Sequence, residues 1–431
     1  MNFLKMRFAF YNYLLLTLDA FILFSCSPVD RFEDDKADIG KIQEIKNDKL
    51  KNINVLLSND YNGKTLKFTS ETILQNLSHE NLINILENQS LSIQIYNSKI
   101  KINLSNGSSF LENGFYIVSK NSFNIIDFEG RNYRGKIKII YDEGKARVIN
   151  YLSTEDYLKG VVPAEYGIAN TSSDYEALKA FCIVARTYAY SKIYSSRRVY
   201  DVRADISDQV YKGFDYEKEI SSSAVEATNQ IALFYNGVPA QTFYHSSCGG
   251  QIEDVANVFS DGDYPYLRNK NDLDKNGKAY CSIAPKFEWI ETFSESKIKS
   301  NLKNYDSSLD IANIKDVYIE SKFPSGRVKY LAFKYLNSKG EIKIVKLYGN
   351  NIRFIMLTES SNSSLRSSMF EINKEISQTT GNLNKLELIG KGYGHGVGFC
   401  QYGALGRSRN GQKYDEILKY YFPLTYMVKI E

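Results

Sequence analysis

The side chains best suited to chemistry are one glutamate set among apolar residues, histidines beside glycines, and a scattered group of cysteines. Glu165 follows Val161-Val162-Pro163-Ala164 and precedes Tyr166-Gly167. A carboxyl group desolvated by such neighbours is held above its solution pKa of about 4.3 and can donate a proton at neutral pH. The commoner fate of a glutamate is a helix cap or an exposed surface position, and the local sequence by itself leaves both open. His395 lies in Gly394-His395-Gly396, where glycines permit close backbone approach and leave the imidazole little cover. That setting suits contact with a bound molecule, and it equally suits a turn histidine bonded to a neighbouring carbonyl. His245, ahead of Gly249-Gly250, invites the same comparison. No CxxC or HxxxH spacing occurs and the chain has three histidines, so the spacing predicts neither a metal site nor another cofactor.

The N-terminus carries Lys5 and Arg7 ahead of an apolar stretch, Phe8 to Phe24, that ends in Leu23-Phe24-Ser25-Cys26. This resembles a lipoprotein signal over residues 1–26, with Cys26 lipidated and the chain exported and anchored to a membrane. The rival is a retained transmembrane helix, but the stretch is barely long enough to span about 30 Å of hydrocarbon and Asp19 interrupts it. Residues 27–51, rich in Asp, Glu and Lys, read as a solvated tether. Export allows disulfides among Cys182, Cys248, Cys281 and Cys400. Of the three pairings, Cys248 with Cys281 is expected because both lie in loop-like surroundings; four buried, inert thiols are the alternative. The formal charge of +4 is small for 431 residues and its signs are interspersed, so no nucleic-acid partner is expected. The 33 tyrosines fit sugar stacking, and also a tyrosine-rich core.

The elements that must position these groups form an α+β arrangement. Residues 52–132 alternate with period two, as in 91–95 and 136–140 just beyond, which predicts strands with one buried face. A helix is predicted over 174–194, where Ala177, Phe181, Val184, Ala185 and Tyr188 recur at helical spacing behind a capping box at Ser173-Asp174-Tyr175-Glu176. A shorter helix starts at Ser153-Thr154-Glu155-Asp156 and stops near Gly160 or Pro163, leaving Glu165 in a connection. Strand-like segments return around 317–319, 328–335 and 342–347, and a last amphipathic helix is predicted over 414–421.

Tyr157-Leu158-Lys159-Gly160-Val161-Val162-Pro163-Ala164-Glu165 resembles the signature of the SpoIID/LytB domain family. Four further blocks follow in the family's order: Glu176 to Ala180 with Ala185 to Ala189; Gln209 to Gly213; His245 to Gly250 with Pro265-Tyr266-Leu267; and Gly392 to Gly398 through Gln401-Tyr402-Gly403-Ala404. The resemblance runs over about 133–425, so the chain divides into the signal (1–26), the tether (27–51), a strand-rich region (52–132) and a SpoIID-like domain (133–431).

The resemblance implies a peptidoglycan lytic transglycosylase, which cuts glycan strands between N-acetylmuramic acid and N-acetylglucosamine and leaves a 1,6-anhydromuramoyl end. It makes Glu165 the catalytic residue, acid and then base. It gives Arg186, His245, Gly249, Gly250, His395, Gln401 and Tyr402 to substrate binding. The family also includes amidase enhancers, which implies a wall amidase as a partner. Some members carry a Cys-x4-His-Cys zinc cluster ahead of the Gln-Val-Tyr block; this chain has Val202, Ser207 and Asp208 there, so that zinc is not carried over.

Overall fold

The computed structural model describes residues 43–121, 123–259 and 264–431. The expected signal, with Cys26, and most of the expected tether lie outside the described residues. The end of that span is structured: Gln43–Ile45 pairs in parallel with Tyr426–Ile430, and Leu50 is fully buried. Its apolar residues have a core to enter, and the Leu50 carbonyl accepts the Thr154 hydroxyl.

The fold is α+β. Its helices are α1 (Thr154–Glu165), α2 (Tyr175–Ser195), α3 (Glu219–Ala227), α4 (Glu295–Tyr305), α5 (Ile352–Ile355), α6 (Gln401–Arg409) and α7 (Tyr414–Tyr421). The alternating segments do form strands: in Lys136–Asp142 the buried residues are Ile137 and Ile139, and in Ser90–Tyr96 they are Leu91 and Ile93. Lys136–Asp142 lies inside a seven-stranded sheet between Lys145–Ser153 and Gly114–Ser119. The strand Lys145–Ser153 runs directly into α1, so the sheet sets the height at which Glu165 emerges.

Helix α2 is buried on nearly every face, because Ala177, Phe181, Val184 and Ala185 alternate with Ala180, Cys182 and Ile183 around its whole circumference. A helix apolar all round belongs in the interior, and α1, α3, α6, α7 and the strand Ile231–Tyr235 pack around it. Two sequence expectations are corrected here. The capping box sits earlier, between Thr171 and Asp174, and the Glu176 carboxylate instead accepts the Tyr414 amide at 3.0 Å and pairs with Lys179 at 2.8 Å. Helix α1 begins as expected with Ser153 capping Asp156, but it runs through Gly160 and Pro163 to Glu165. Gly160 stays because the Tyr211 ring lies where a Cβ would stand, at 2.6 Å. Pro163 removes a single amide from the last turn, too little to end the helix.

One core joins the N-terminal sheets to α1, α2, α3 and the segment 397–430. A second core, from Trp289 to Leu388, is built from two three-stranded sheets with α4 and α5. The chain enters this second body at Phe287 and leaves at Gly392, where the Gly392 amide donates to the Phe287 carbonyl at 2.8 Å and the Trp289 indole N–H to the Gly392 carbonyl at 3.0 Å.

Arg186, expected at the substrate, is fully buried inside this framework. Its guanidinium forms a two-pronged pair with Glu155 at 2.7 and 2.8 Å and donates to the carbonyls of Ile231 (3.0 Å) and Val225 (3.2 Å). It ties α1, α2, α3 and a strand together, and its donors are all engaged. Removing one partner of such a pair strands the other. Arg186→Met should therefore lower unfolding stability in urea by about 3–5 kcal/mol; an unchanged midpoint would refute the bracing role.

Candidate active site

Glu165 is the last residue of α1 and is half-buried. Its Oε1 accepts the Val210 amide at 2.5 Å, and the Tyr244 phenol lies beside the carboxyl. Burial raises the carboxyl's pKa, while the Val210 amide and Tyr244 pull it down; burial prevails. The negative end of the helix dipole at this position also disfavours a carboxylate. Among the described residues no cation acts on it, and Arg186 makes no pair with it. Behind Tyr244 stands Tyr188, which donates to Asp208 at 3.0 Å. Asp208 also lines a polar cavity of 370 Å³ with Lys192, Arg197 and Arg198.

The backbone at Glu165 is clasped to the start of α6. Gln401 donates through Nε2 to the Glu165 carbonyl at 3.0 Å, and the buried Tyr166 hydroxyl donates to the Gln401 carbonyl at 2.7 Å. Gln401, expected to bind substrate, is thus a buried brace. Tyr402, next to it, is half-buried; its amide donates to the Ser246 carbonyl at 3.0 Å. It lines a 250 Å³ cavity with Ser246, Ser247, Ala284, Pro285, Lys286 and Tyr393.

Both candidate histidines, His395 between its glycines and His245 ahead of Gly249-Gly250, have internal partners. His395 donates from Nε2 to the Tyr244 carbonyl at 2.9 Å, and its Nδ1 accepts the Val397 amide at 3.1 Å. With both nitrogens engaged, and its pKa pushed down to about 3 by burial and by Arg353, it is a neutral turn histidine that positions Tyr244. His245 is buried, 4% exposed, and donates from Nδ1 to the Val397 carbonyl at 3.0 Å. Gly249 and Gly250 adopt φ of 75° and 93°, and a Cβ on Gly249 would stand 2.8 Å from the Met369 sulfur. Their role is to turn the chain.

The expected Cys248–Cys281 bridge is not formed. The two sulfurs are adjacent at 3.5 Å but both are thiols, and Cys400 joins them, its sulfur accepting the Cys248 amide at 3.2 Å. His245, Cys248 and Cys400 present their ligand atoms within 4.8 Å of one another, a set able to hold a metal ion. The sequence hides this cluster because the strands Tyr244–His245 and Phe399–Cys400 pair across a long separation, His245 opposite Cys400. The Val210 amide and Tyr244 were missed for the same reason, although Gln209-Val210-Tyr211 stood out as a block.

Comparison with known proteins adds three findings. The profile described as stage II sporulation protein (SpoIID) matches residues 142–235, and a domain of unknown function, DUF8618, matches 265–398. An uncharacterized protein of Brachyspira hyodysenteriae is 28% identical, over 84% of this chain and 86% of its own length. The Bacillus subtilis amidase enhancer is 30% identical over 77% of this chain, which spans about half (49%) of that protein, and the Bacillus subtilis stage II sporulation protein D is 27% identical over 64% of this chain and 75% of its own length. The stretch with the profile match contains α1, α2 and Glu165, and over it this chain is similar to the SpoIID/LytB family.

Proposed function

We propose that this protein is a peptidoglycan lytic transglycosylase in the cell envelope that uses Glu165 as its only catalytic carboxyl group. The observation that carries the reading is a desolvated carboxyl with a raised pKa, held by the Val210 amide beside the Tyr244 phenol and opposed by no cation among the described residues. Retaining and inverting glycosidases need a second carboxylate, as nucleophile or to activate water. Among the described residues no second carboxylate acts on Glu165. That favours a substrate that supplies its own nucleophile. Glu165 first protonates the glycosidic oxygen between N-acetylmuramic acid and N-acetylglucosamine. The C6 hydroxyl of the muramic acid then attacks C1, and Glu165 accepts its proton as the 1,6-anhydro ring closes. The half-buried face of Tyr402 and its cavity offer an apolar wall for a sugar ring. Among the described residues no helix is long and apolar enough to cross a membrane, and a lipid at Cys26 would supply the anchor of this reading.

A second reading is favoured by the 30% identity to the amidase enhancer: the chain binds the wall and stimulates a separate hydrolase. Glu165→Gln separates the two. In glycan digests analysed by mass spectrometry, the transglycosylase loses anhydromuramoyl products by about 10²–10⁴-fold or more; an enhancer keeps its stimulation of an amidase. The fold control has a definite sign. The folded pKa of Glu165 lies above the unfolded value, so its contribution to stability is present at acid pH and is lost as pH rises through the folded pKa. Glu165→Gln should therefore melt no lower than the parent at neutral pH.

The same group sets the pH profile. Turnover requires protonated Glu165 and should fall as pH rises through its raised pKa. Tyr244 pulls that pKa down, so Tyr244→Phe should move the alkaline limb of the kcat/KM profile to higher pH; a shift to lower pH, or none, would contradict the arrangement.

A further inference from the structure

Behind the candidate active site lie three buried thiols and an imidazole that the proposed reaction does not use. His245 donates from Nδ1 to the Val397 carbonyl, which leaves Nε2 with a free lone pair. That nitrogen is buried and has no hydrogen-bond partner, an expensive state unless something occupies it. It stands with Cys248 and Cys400 in the set whose ligand atoms lie within 4.8 Å of one another. Cys281, just outside that set, stands 3.5 Å from Cys248 and could complete it as a fourth ligand. Backbone amides point at the sulfurs: Cys248 and Gly403 donate to Cys400 at 3.2 and 3.3 Å, and Gly250 donates to Cys248 at 3.3 Å. Amide donors of this kind stabilise thiolates. The buried Arg327 adds a positive charge, donating to the Cys248 carbonyl at 2.9 Å.

We propose that His245, Cys248, Cys281 and Cys400 bind a structural zinc ion. Soft thiolates with an imidazole suit zinc, and a backbone carbonyl on the far imidazole nitrogen is the usual way to aim the other at a metal. On binding, each thiol releases its proton to solvent, and the bond from Cys248 to Asp272 (3.4 Å) gives way to the metal. Asp272 keeps Arg407 at 2.8 Å and Tyr421 at 2.9 Å. Four protein ligands close the coordination shell, so the ion braces and does not react. What it braces is the rear of the active site: Cys400 caps α6, and the next residue, Gln401, holds the Glu165 carbonyl. This site is separate from the position of the family's Cys-x4-His-Cys cluster.

The test uses the full chain, purified under reducing conditions without chelator. Plasma mass spectrometry should find about one zinc ion per chain, and cobalt(II) exchanged into the unmutated protein should give intense thiolate-to-metal charge-transfer absorption and the visible bands of a tetrahedral site. His245→Ala should lose most of the metal and His245→Cys should retain it. Stripping the zinc should lower the melting temperature by several degrees. Zinc-supplemented protein that carries no metal and gives no cobalt charge-transfer band would overturn the proposal. So would a Cys248–Cys281 disulfide in protein isolated from the cell envelope.

Discussion

A carboxyl group removed from water at the end of a helix, with no cation to hold it ionised, is the constraint on which the rest of this structure depends. The Val210 amide orients it and the Tyr244 phenol lies beside it, and neither outweighs the desolvation. A lysine or arginine in their place would fix the carboxylate and abolish the acid. The one arginine near enough in sequence pattern to do this, Arg186, is instead committed to Glu155 on the opposite end of α1. The same helix therefore carries an ion-paired glutamate in its first turn and a desolvated one in its last.

Positioning comes from long-range contacts. The clasp formed by Tyr166 and Gln401 fixes the backbone of Glu165 against α6, and His395 fixes Tyr244 through its carbonyl. Both contacts join the centre of the chain to its end, across the second body from Phe287 to Gly392. That body has its own core, so it folds around itself and returns the chain to where it left. The glycine-histidine segment is thereby delivered to the first core.

Much of this was legible in the residues. Period-two alternation gave the strands at 91–95 and 136–140, helical spacing gave α2, and the amphipathic pattern gave α7 at Tyr414–Tyr421. The Val-Val-Pro-Ala-Glu run gave the apolar setting of Glu165. What failed was whatever tertiary contact decides. Pro163 and Gly160 look like helix breakers, yet packing against Tyr211 keeps α1 intact. A histidine between glycines looks exposed, yet a turn closes on His395, and strand pairing folds His245 inward. Thiols far apart in sequence give no spacing signal, and they meet only because Tyr244–His245 and Phe399–Cys400 are neighbours.

The most direct measurement is of the carboxyl itself. Side-chain carbon NMR on protein labelled at glutamate Cδ, with Glu165→Gln to assign the resonance, follows its ionisation against pH. The account predicts a midpoint above the ordinary glutamate value of about 4.3. A midpoint at or below that value would mean that Glu165 is ionised at neutral pH and cannot be the acid.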